Sequence, residues 1–171
     1  MVRRGGRDQV VAAGLLTTPV TQDLPTRLAM LDRDLRALIA EMAALASPEA
    51  RPAAPGARGQ YLAVAVERVF FQVNARTAMS VGQASGLALA AAAGAGCDVV
   101  QYTPNEVKSA VAGYGSAPKD QVGRMVASLL GLAAPPRPAD TADALAVALC
   151  HLAMAPLRSR TSGARAAGAR S

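Results

Sequence analysis

A chain of 171 residues, 51% of them hydrophobic, can form one domain with a substantial core. It has no apolar run of the roughly 20 residues that a membrane-spanning helix requires, and its polar, basic start lacks the apolar segment of a signal peptide, so a cytoplasmic location is expected. Its two cysteines lack the spacing of a disulfide framework or a zinc site. The net charge of +6 fits either solubility with basic tails or attraction to a polyphosphate.

The first part of the chain predicts a strand and a helix. Residues 1–9 form a basic N-terminal segment, and the apolar residues 10–18, ended by Pro19, predict a strand. Leucines at helical spacing predict an amphipathic helix from residue 24 to about residue 46. Residues 47–60 contain three prolines and two glycines, which is typical of a surface loop.

The second part alternates strands and helices. The predicted order is a strand over 61–66, a helix over 75–95, a strand over 98–102, a helix to about 112, a helix from 119 to about 130 and a last helix from 140 to about 155. Thr103 is expected to cap the third helix, with Pro104 at its first position and Glu106 at its third. The fourth is expected to bury Val122, Met125, Val126 and Leu129. This alternation predicts an α/β domain.

Three carboxylates are the candidate site residues. Asp140 and Asp143 are spaced i,i+3 and therefore project from one face of the first turn of the last helix. Helix capping is one explanation for this pair, and cation binding is another. Glu67 follows a strand, so it lies at the sheet edge where open α/β sheets bind ligands, which favours cation binding. Carboxylate oxygens suit Mg²⁺, and two such ions can bracket a phosphodiester.

Five motifs carry a resemblance to a known family. They are VAVERVFFQVNART at 64–77, GQASG at 82–86, YTPNEVK at 102–108, GYGSAPK at 113–119 and ADTADALA at 139–146. In this order they resemble the RuvC family of bacterial Holliday-junction resolvases, which belongs to the ribonuclease H-like superfamily. The resemblance covers residues 10–156 and implies a mixed sheet flanked by helices, here without its first one or two strands.

The resemblance implies an endodeoxyribonuclease of recombination and DNA repair. It implies a homodimer that binds a four-way DNA junction and nicks two opposed strands symmetrically with Mg²⁺, two ions per active site. The branch-migration proteins RuvA and RuvB are implied as partners. The two alternatives are an inactive junction-binding or dimerising fragment, and a ribonuclease H-like protein that acts on other DNA or RNA ends.

The resemblance also assigns roles to individual residues. Catalytic metal ligands of the family fall on Glu67, Asp140 and Asp143. An aromatic that stacks on a base at the junction centre falls on Phe70, with Phe71 as the alternative. Contacts to DNA fall on Arg76, Lys108 and Lys119. The two lysines are the only ones among 18 basic residues, and both lie in the stretch that is expected to face DNA, although chance also explains this.

One element of the family pattern has no match. The family begins with a strand that carries a catalytic aspartate in an Asp-Pro-Gly motif, and Asp8 stands in a different context. We therefore expect the predicted strand over 10–18 to lack its neighbour and to expose apolar residues, and the three remaining carboxylates to hold metal less well. A start site further upstream and a truncated copy are the two explanations.

Two further expectations concern the end of the chain. Residues 157–171 are rich in Gly, Ala, Ser and Arg and contain no acid, which predicts a disordered, Arg-rich tail. His151 lies inside the last predicted helix. It is expected to pack or to lie at the surface, with support of a nearby site as the alternative.

Overall fold

The computed structural model describes residues 2–3, 8–45, 62–68 and 75–168, with the backbone alone for 2–3, 75–78 and 157–168. The elements in chain order are β1 (Val2–Arg3), β2 (Gln9–Val10), α1 (Leu24–Leu45), β3 (Ala63–Glu67), α2 (Ala75–Gly94), β4 (Asp98–Tyr102), α3 (Pro104–Ala112), α4 (Lys119–Leu130) and α5 (Ala139–Gly168). They form two compact units, one of Met1–Leu15 with Tyr102–Ser171 and one of Leu16–Gln101.

In the unit of residues 16–101, α1 packs against α2. Helix α2 in turn contacts β3, which forms a two-stranded sheet with β4. Strands β3 and β4 are parallel neighbours joined through α2, and the Asp98 amide donates to the Leu62 carbonyl at 3.1 Å. Ile39, Ala91 and Ala92 form the buried centre of this unit. The small side chains of the two alanines let α1 and α2 approach closely.

The unit that contains residues 102–171 packs α3, α4 and α5 against one another. Its buried residues include Val107, Val111, Val122, Val126, Leu145, Ala146, Leu149 and Cys150. The predicted start of α3 is confirmed: Thr103 caps the helix, its side chain accepts from the Glu106 amide, and the Glu106 carboxylate accepts from the Thr103 amide. The helix ends at Gly113, whose φ of 87° suits glycine because it has no Cβ.

The prediction of a strand over residues 10–18 is wrong. Strand β2 covers only Gln9–Val10, where it pairs antiparallel with Val2–Arg3, and residues 11–18 form no strand. An apolar run forms a strand only where a neighbour satisfies its backbone groups, and composition does not supply that neighbour. The apolar exposure expected for this segment is confirmed, because Val11, Leu15 and Leu16 are 40%, 49% and 41% exposed.

The end of the last helix also differs from expectation. The last helix was expected to end at about residue 155, but the backbone of residues 157–168, where a disordered tail is expected, continues α5, and 169–171 lie outside the description. Pro156 lies inside this helix. Alanine and arginine are strong helix formers, and extending an existing helix costs far less than starting one.

The predicted buried face of α4 needs one correction. Val122 and Val126 are buried, but Met125 is half-buried and Leu129 is exposed. The buried stripe is rotated toward Gly123 and Ala127. Gly123 faces Pro135, whose Cβ would lie 3.7 Å from a Cβ at position 123. A Cβ at position 123 would therefore make only an ordinary van der Waals contact with Pro135. Among the described residues, no helix is long and apolar enough to cross a membrane.

Candidate nuclease site

The first turn of α5 presents two carboxylates. The helix follows a Pro-rich link and begins at Ala139, and its Thr141 amide donates to the Pro138 carbonyl at 3.0 Å. Asp140 is exposed and Asp143 is half-buried, whereas Thr141 between them is buried. The i,i+3 spacing therefore places both acids on the outer face, at the helix end whose partial positive charge favours carboxylates.

Asp143 forms an ion pair with a lysine from another helix. The Lys119 Nζ lies 2.7 Å from Asp143 Oδ2, with the two side chains 64% and 43% exposed. Lys119 is the first residue of α4, and the preceding Pro118 makes no side-chain capping bond. A cation at a helix N-terminus opposes the macrodipole, so the local helix environment does not favour a lysine there.

Thr141 carries an unsatisfied polar atom. The residue is 7% exposed, and its Oγ1 has no hydrogen-bond partner among the residues that the structure describes. A buried hydroxyl without a partner costs stability, because it gives up its bonds to water and gains none. Thr141 lies between Asp140 and Asp143, so the helical turn that carries both acids also bears this loss of stability.

Glu67 lies where the sequence predicts it. It is the last residue of β3, at the carboxyl end of the strand, and its side chain is exposed. It belongs to the unit of residues 16–101, whereas Asp140 and Asp143 belong to the other unit. Within the described ranges, no three side chains of His, Cys, Asp or Glu are grouped as a metal site requires. Of the three predicted ligands, the two aspartates are held together by one helical turn.

The predicted DNA-contacting residues are described to different extents. Lys108 lies on α3 and is half-buried, and Lys119 opens α4. Phe70 and Phe71 lie outside the described residues, and for Arg76 only the backbone is described, in the first turn of α2. The pairing of Lys119 with Asp143 is a contact that the sequence analysis missed, because each residue was assigned from its own motif.

A second missed contact links the end of β4 to α5. The hydroxyl of Tyr102 lies 3.1 Å from the Nδ1 of His151, with the rings edge to face. Next to it, the buried Cys150 thiol donates to the Glu106 carbonyl at 3.8 Å. Burial, with a smaller contribution from the Glu106 charge, raises the pKa of Cys150 to about 11. No local pattern signals contacts between residues more than 40 positions apart in the chain.

The donor set at α5 fits a hard divalent cation. Asp140 and Asp143 offer carboxylate oxygens, which magnesium prefers over nitrogen or sulfur. The Lys119 ammonium already places a positive charge 2.7 Å from Asp143 Oδ2, so this carboxylate is accessible to a cation. The exposed side chain of Asp140 offers further oxygens of the same kind.

Comparison with known proteins identifies the family. The family model described as crossover junction endodeoxyribonuclease RuvC matches residues 58–151. The protein of that name from Moorella thermoacetica is 46% identical over 157 residues, which make up 92% of this chain and 84% of the relative. The one from Salinispora arenicola is 48% identical over 155 residues, or 91% of this chain and 79% of the relative.

Solved structures agree with the sequence relatives. The Thermus thermophilus RuvC structure superposes with a TM-score of 0.73 at 33% identity, covering 92% of this chain and 86% of that one. The same protein in complex with a Holliday junction substrate gives a TM-score of 0.75 at 33% identity, covering 91% and 86%. The predicted fold class is thereby confirmed. The five motifs, the fold and these relatives together show that the chain belongs to the RuvC family of crossover junction endodeoxyribonucleases.

Proposed function

We propose that the chain resolves Holliday junctions by nicking two opposed strands of a four-way DNA junction in recombination and repair. Its family consists of metal-dependent nucleases. The observation that carries the proposal is the aspartate pair on the first turn of α5, in a family match that spans Glu67, Asp140 and Asp143. The inactive-fragment alternative is not favoured, because the relatives are named as crossover junction endodeoxyribonucleases and a structural neighbour is in complex with a Holliday junction substrate.

We assign Glu67, Asp140 and Asp143 as the residues that hold two Mg²⁺ ions. When bound, these ions would supply an activated water and neutralise charge on the scissile phosphate. The chain contributes the orientation of the oxygens. The partial positive charge of the helix N-terminus attracts anions, and the spacing of the aspartates holds both carboxylates on one face. Glu67 is the last residue of β3.

DNA binding is assigned to the aromatic and basic residues of the motifs. Phe70 or Phe71 would stack on a base at the junction centre, since base stacking on an aromatic contributes about 1–3 kcal/mol per base. Lys108, Lys119 and Arg76 would contact phosphates, which fix the position of the protein on DNA without reading its sequence. The net charge of +6 supports the same assignment.

A homodimer follows from the symmetry of the reaction. Nicking two opposed strands symmetrically requires two equivalent active sites, and a two-fold axis is the simplest way to provide them. We also propose that the RuvA and RuvB branch-migration proteins act with the dimer, on the basis of the family. Size-exclusion chromatography with light scattering should give twice the mass of 17.3 kDa for the chain.

The central test is a cleavage assay. The purified chain is incubated with a mobile four-way junction and Mg²⁺, with a linear duplex of the same length as the control. We expect paired nicks at symmetric positions in the junction and none in the duplex. Junction binding without nicking would favour an inactive fragment, and nicking that does not depend on junction shape would favour a different ribonuclease H-like activity.

A further inference from the structure

The ion pair between Lys119 and Asp143 joins two residues to which the proposed function gives different partners. Asp143 is assigned to metal and Lys119 to DNA phosphate, yet the Lys119 Nζ and Asp143 Oδ2 lie 2.7 Å apart. Both side chains are substantially exposed, and exposed ion pairs contribute little to stability. Stability therefore does not explain why a lysine opens α4, against the helix macrodipole.

The electrostatics of the aspartate pair explain the contact better. Asp140 and Asp143 are like charges at i,i+3, which repel each other. The Lys119 ammonium offsets this repulsion while no other cation is present. A divalent cation at the same carboxylate offers twice the charge, so the two cations compete for Asp143. A lysine displaced in this way keeps its charge and its reach, so it can pair with a phosphate of the DNA backbone.

We propose that Lys119 is a competing cation that couples metal binding to DNA binding. It holds Asp143 in the metal-free protein, leaves this carboxylate when a divalent cation binds, and then pairs with a phosphate of the junction. This inference rests on the proposed assignment of Asp143 as a metal ligand. By thermodynamic reciprocity, junction DNA that captures Lys119 must raise the metal affinity by the same factor.

The first test measures Mn²⁺ affinity by isothermal calorimetry on the full chain without DNA. Lys119→Met should bind Mn²⁺ more tightly by up to about fivefold, the upper range for an exposed ion pair. Lys119→Arg keeps the charge and should bind as the wild type does. Arg124→Met is the matched control, because Arg124 lies on the same helix, is equally exposed at 64% and also pairs with an acid, Asp120. Its Mn²⁺ affinity should not change.

Asp143→Asn in the same assay separates the two proposals. It should weaken Mn²⁺ binding by more than about tenfold, as expected for loss of a ligand when outer-shell partners alone cost 10–100-fold. If Asp143→Asn binds Mn²⁺ like the wild type, the metal assignment and the competition are both overturned. If Asp143→Asn weakens binding while Lys119→Met leaves it unchanged, the metal assignment stands and the competition is overturned.

The lysine content of the chain allows the displacement to be observed directly. Lys108 and Lys119 are the only lysines, so lysine-selective ¹³C labelling gives two side-chain Cε signals in an NMR spectrum. Mg²⁺ should shift the Lys119 signal and leave that of Lys108, an internal reference, in place. A Lys119 signal that stays in place while calorimetry shows Mg²⁺ saturation would overturn the proposal.

The DNA half of the exchange can be tested without metal. In EDTA, Asp143→Asn removes the ion pair between Lys119 and Asp143, so it should bind a four-way junction more tightly and with a salt dependence steeper by about 0.9 in log–log slope, the value for one phosphate contact. The double variant Asp143→Asn, Lys119→Met should lose this gain. A double variant that binds the junction as tightly as Asp143→Asn would show that Lys119 does not receive the phosphate.

Discussion

The hydroxyl of Tyr102 and the Nδ1 of His151 are 3.1 Å apart and connect the last residue of β4 to the middle of α5. Tyr102 is 3% exposed, so this hydroxyl is removed from bulk water. The aspartates lie in the first turn of α5, and His151 lies further along the same helix. The contact with Tyr102 therefore helps to hold this helix in its unit.

Removing the Tyr102 hydroxyl should destabilise the protein modestly. Tyr102→Phe keeps the ring and loses the bond to His151, so the free energy of unfolding should fall by about 0.5–1.5 kcal/mol in urea titrations. A double-mutant cycle with His151→Phe isolates the pair. An interaction energy near zero would show that the two side chains do not stabilise each other.

Replacing the buried hydroxyl of Thr141 with a methyl group should stabilise the protein. Thr141→Val replaces a buried hydroxyl that has no partner with a methyl group of similar shape. The unfolding free energy should rise by about 1 kcal/mol or more, because burying an unsatisfied polar group costs about 1–3 kcal/mol. The measurement is chemical denaturation, with Thr141→Ser as the control that keeps the hydroxyl. A loss of stability in Thr141→Val would show that Oγ1 has a partner, such as a bound water.

The buried thiol predicts a pH dependence of stability. Burial raises the pKa of Cys150 from its ordinary value near 9 to about 11, so the native state holds this proton more tightly than the unfolded chain does. The contribution is complete below pH 9 and is lost as pH rises toward 11. The unfolding free energy of wild type should therefore fall more steeply than that of Cys150→Ala between pH 9 and 11. Parallel curves would contradict the raised pKa.

Neutralising the proposed metal ligands should abolish cleavage and spare binding. Glu67→Gln and Asp140→Asn keep the side-chain size and remove a charged oxygen ligand. Nicking of a four-way junction should fall by more than about a hundredfold, beyond the 10–100-fold typical of outer-shell losses, while junction affinity in gel-shift assays survives. Circular dichroism must show an intact fold. Loss of both binding and fold would count against the assignment of these residues as metal ligands.

Lys108 should contribute to DNA affinity without affecting metal. Lys108→Met removes one proposed phosphate contact, so the slope of log affinity against log salt should fall by about 0.9, equally for junctions of different sequence. Mn²⁺ affinity serves as the control and should stay at the wild-type value. A change confined to one junction sequence would assign Lys108 to base recognition instead.

The helices were predictable because their signals are local. The spacing of leucines predicted α1 to within one residue of its observed end, and the Thr103–Glu106 capping box fixed the start of α3. The strand over 10–18 was not predictable, because a strand depends on a partner elsewhere in the chain. The continuation of α5 past residue 155 was not predictable, because the Gly, Ser and Arg content of residues 157–171 is typical of a disordered tail.

The candidate site shows the same division. Asp140 and Asp143 were singled out by spacing, and their helix turn is where it was expected. Lys119 was also singled out, but its contact with Asp143 joins residues 24 positions apart on two helices. Motifs identify which residues matter, whereas tertiary packing decides which of them meet.

The position of Lys119 has a consequence for protein engineering. Helix statistics favour an acid in the first turn, so a redesign guided by stability alone would replace Lys119 with glutamate to match the dipole of α4. That change would bring a third negative charge toward Asp143 and remove a cation from a nuclease of DNA. A residue that the dipole of α4 disfavours is therefore one that a stabilising library should leave unchanged.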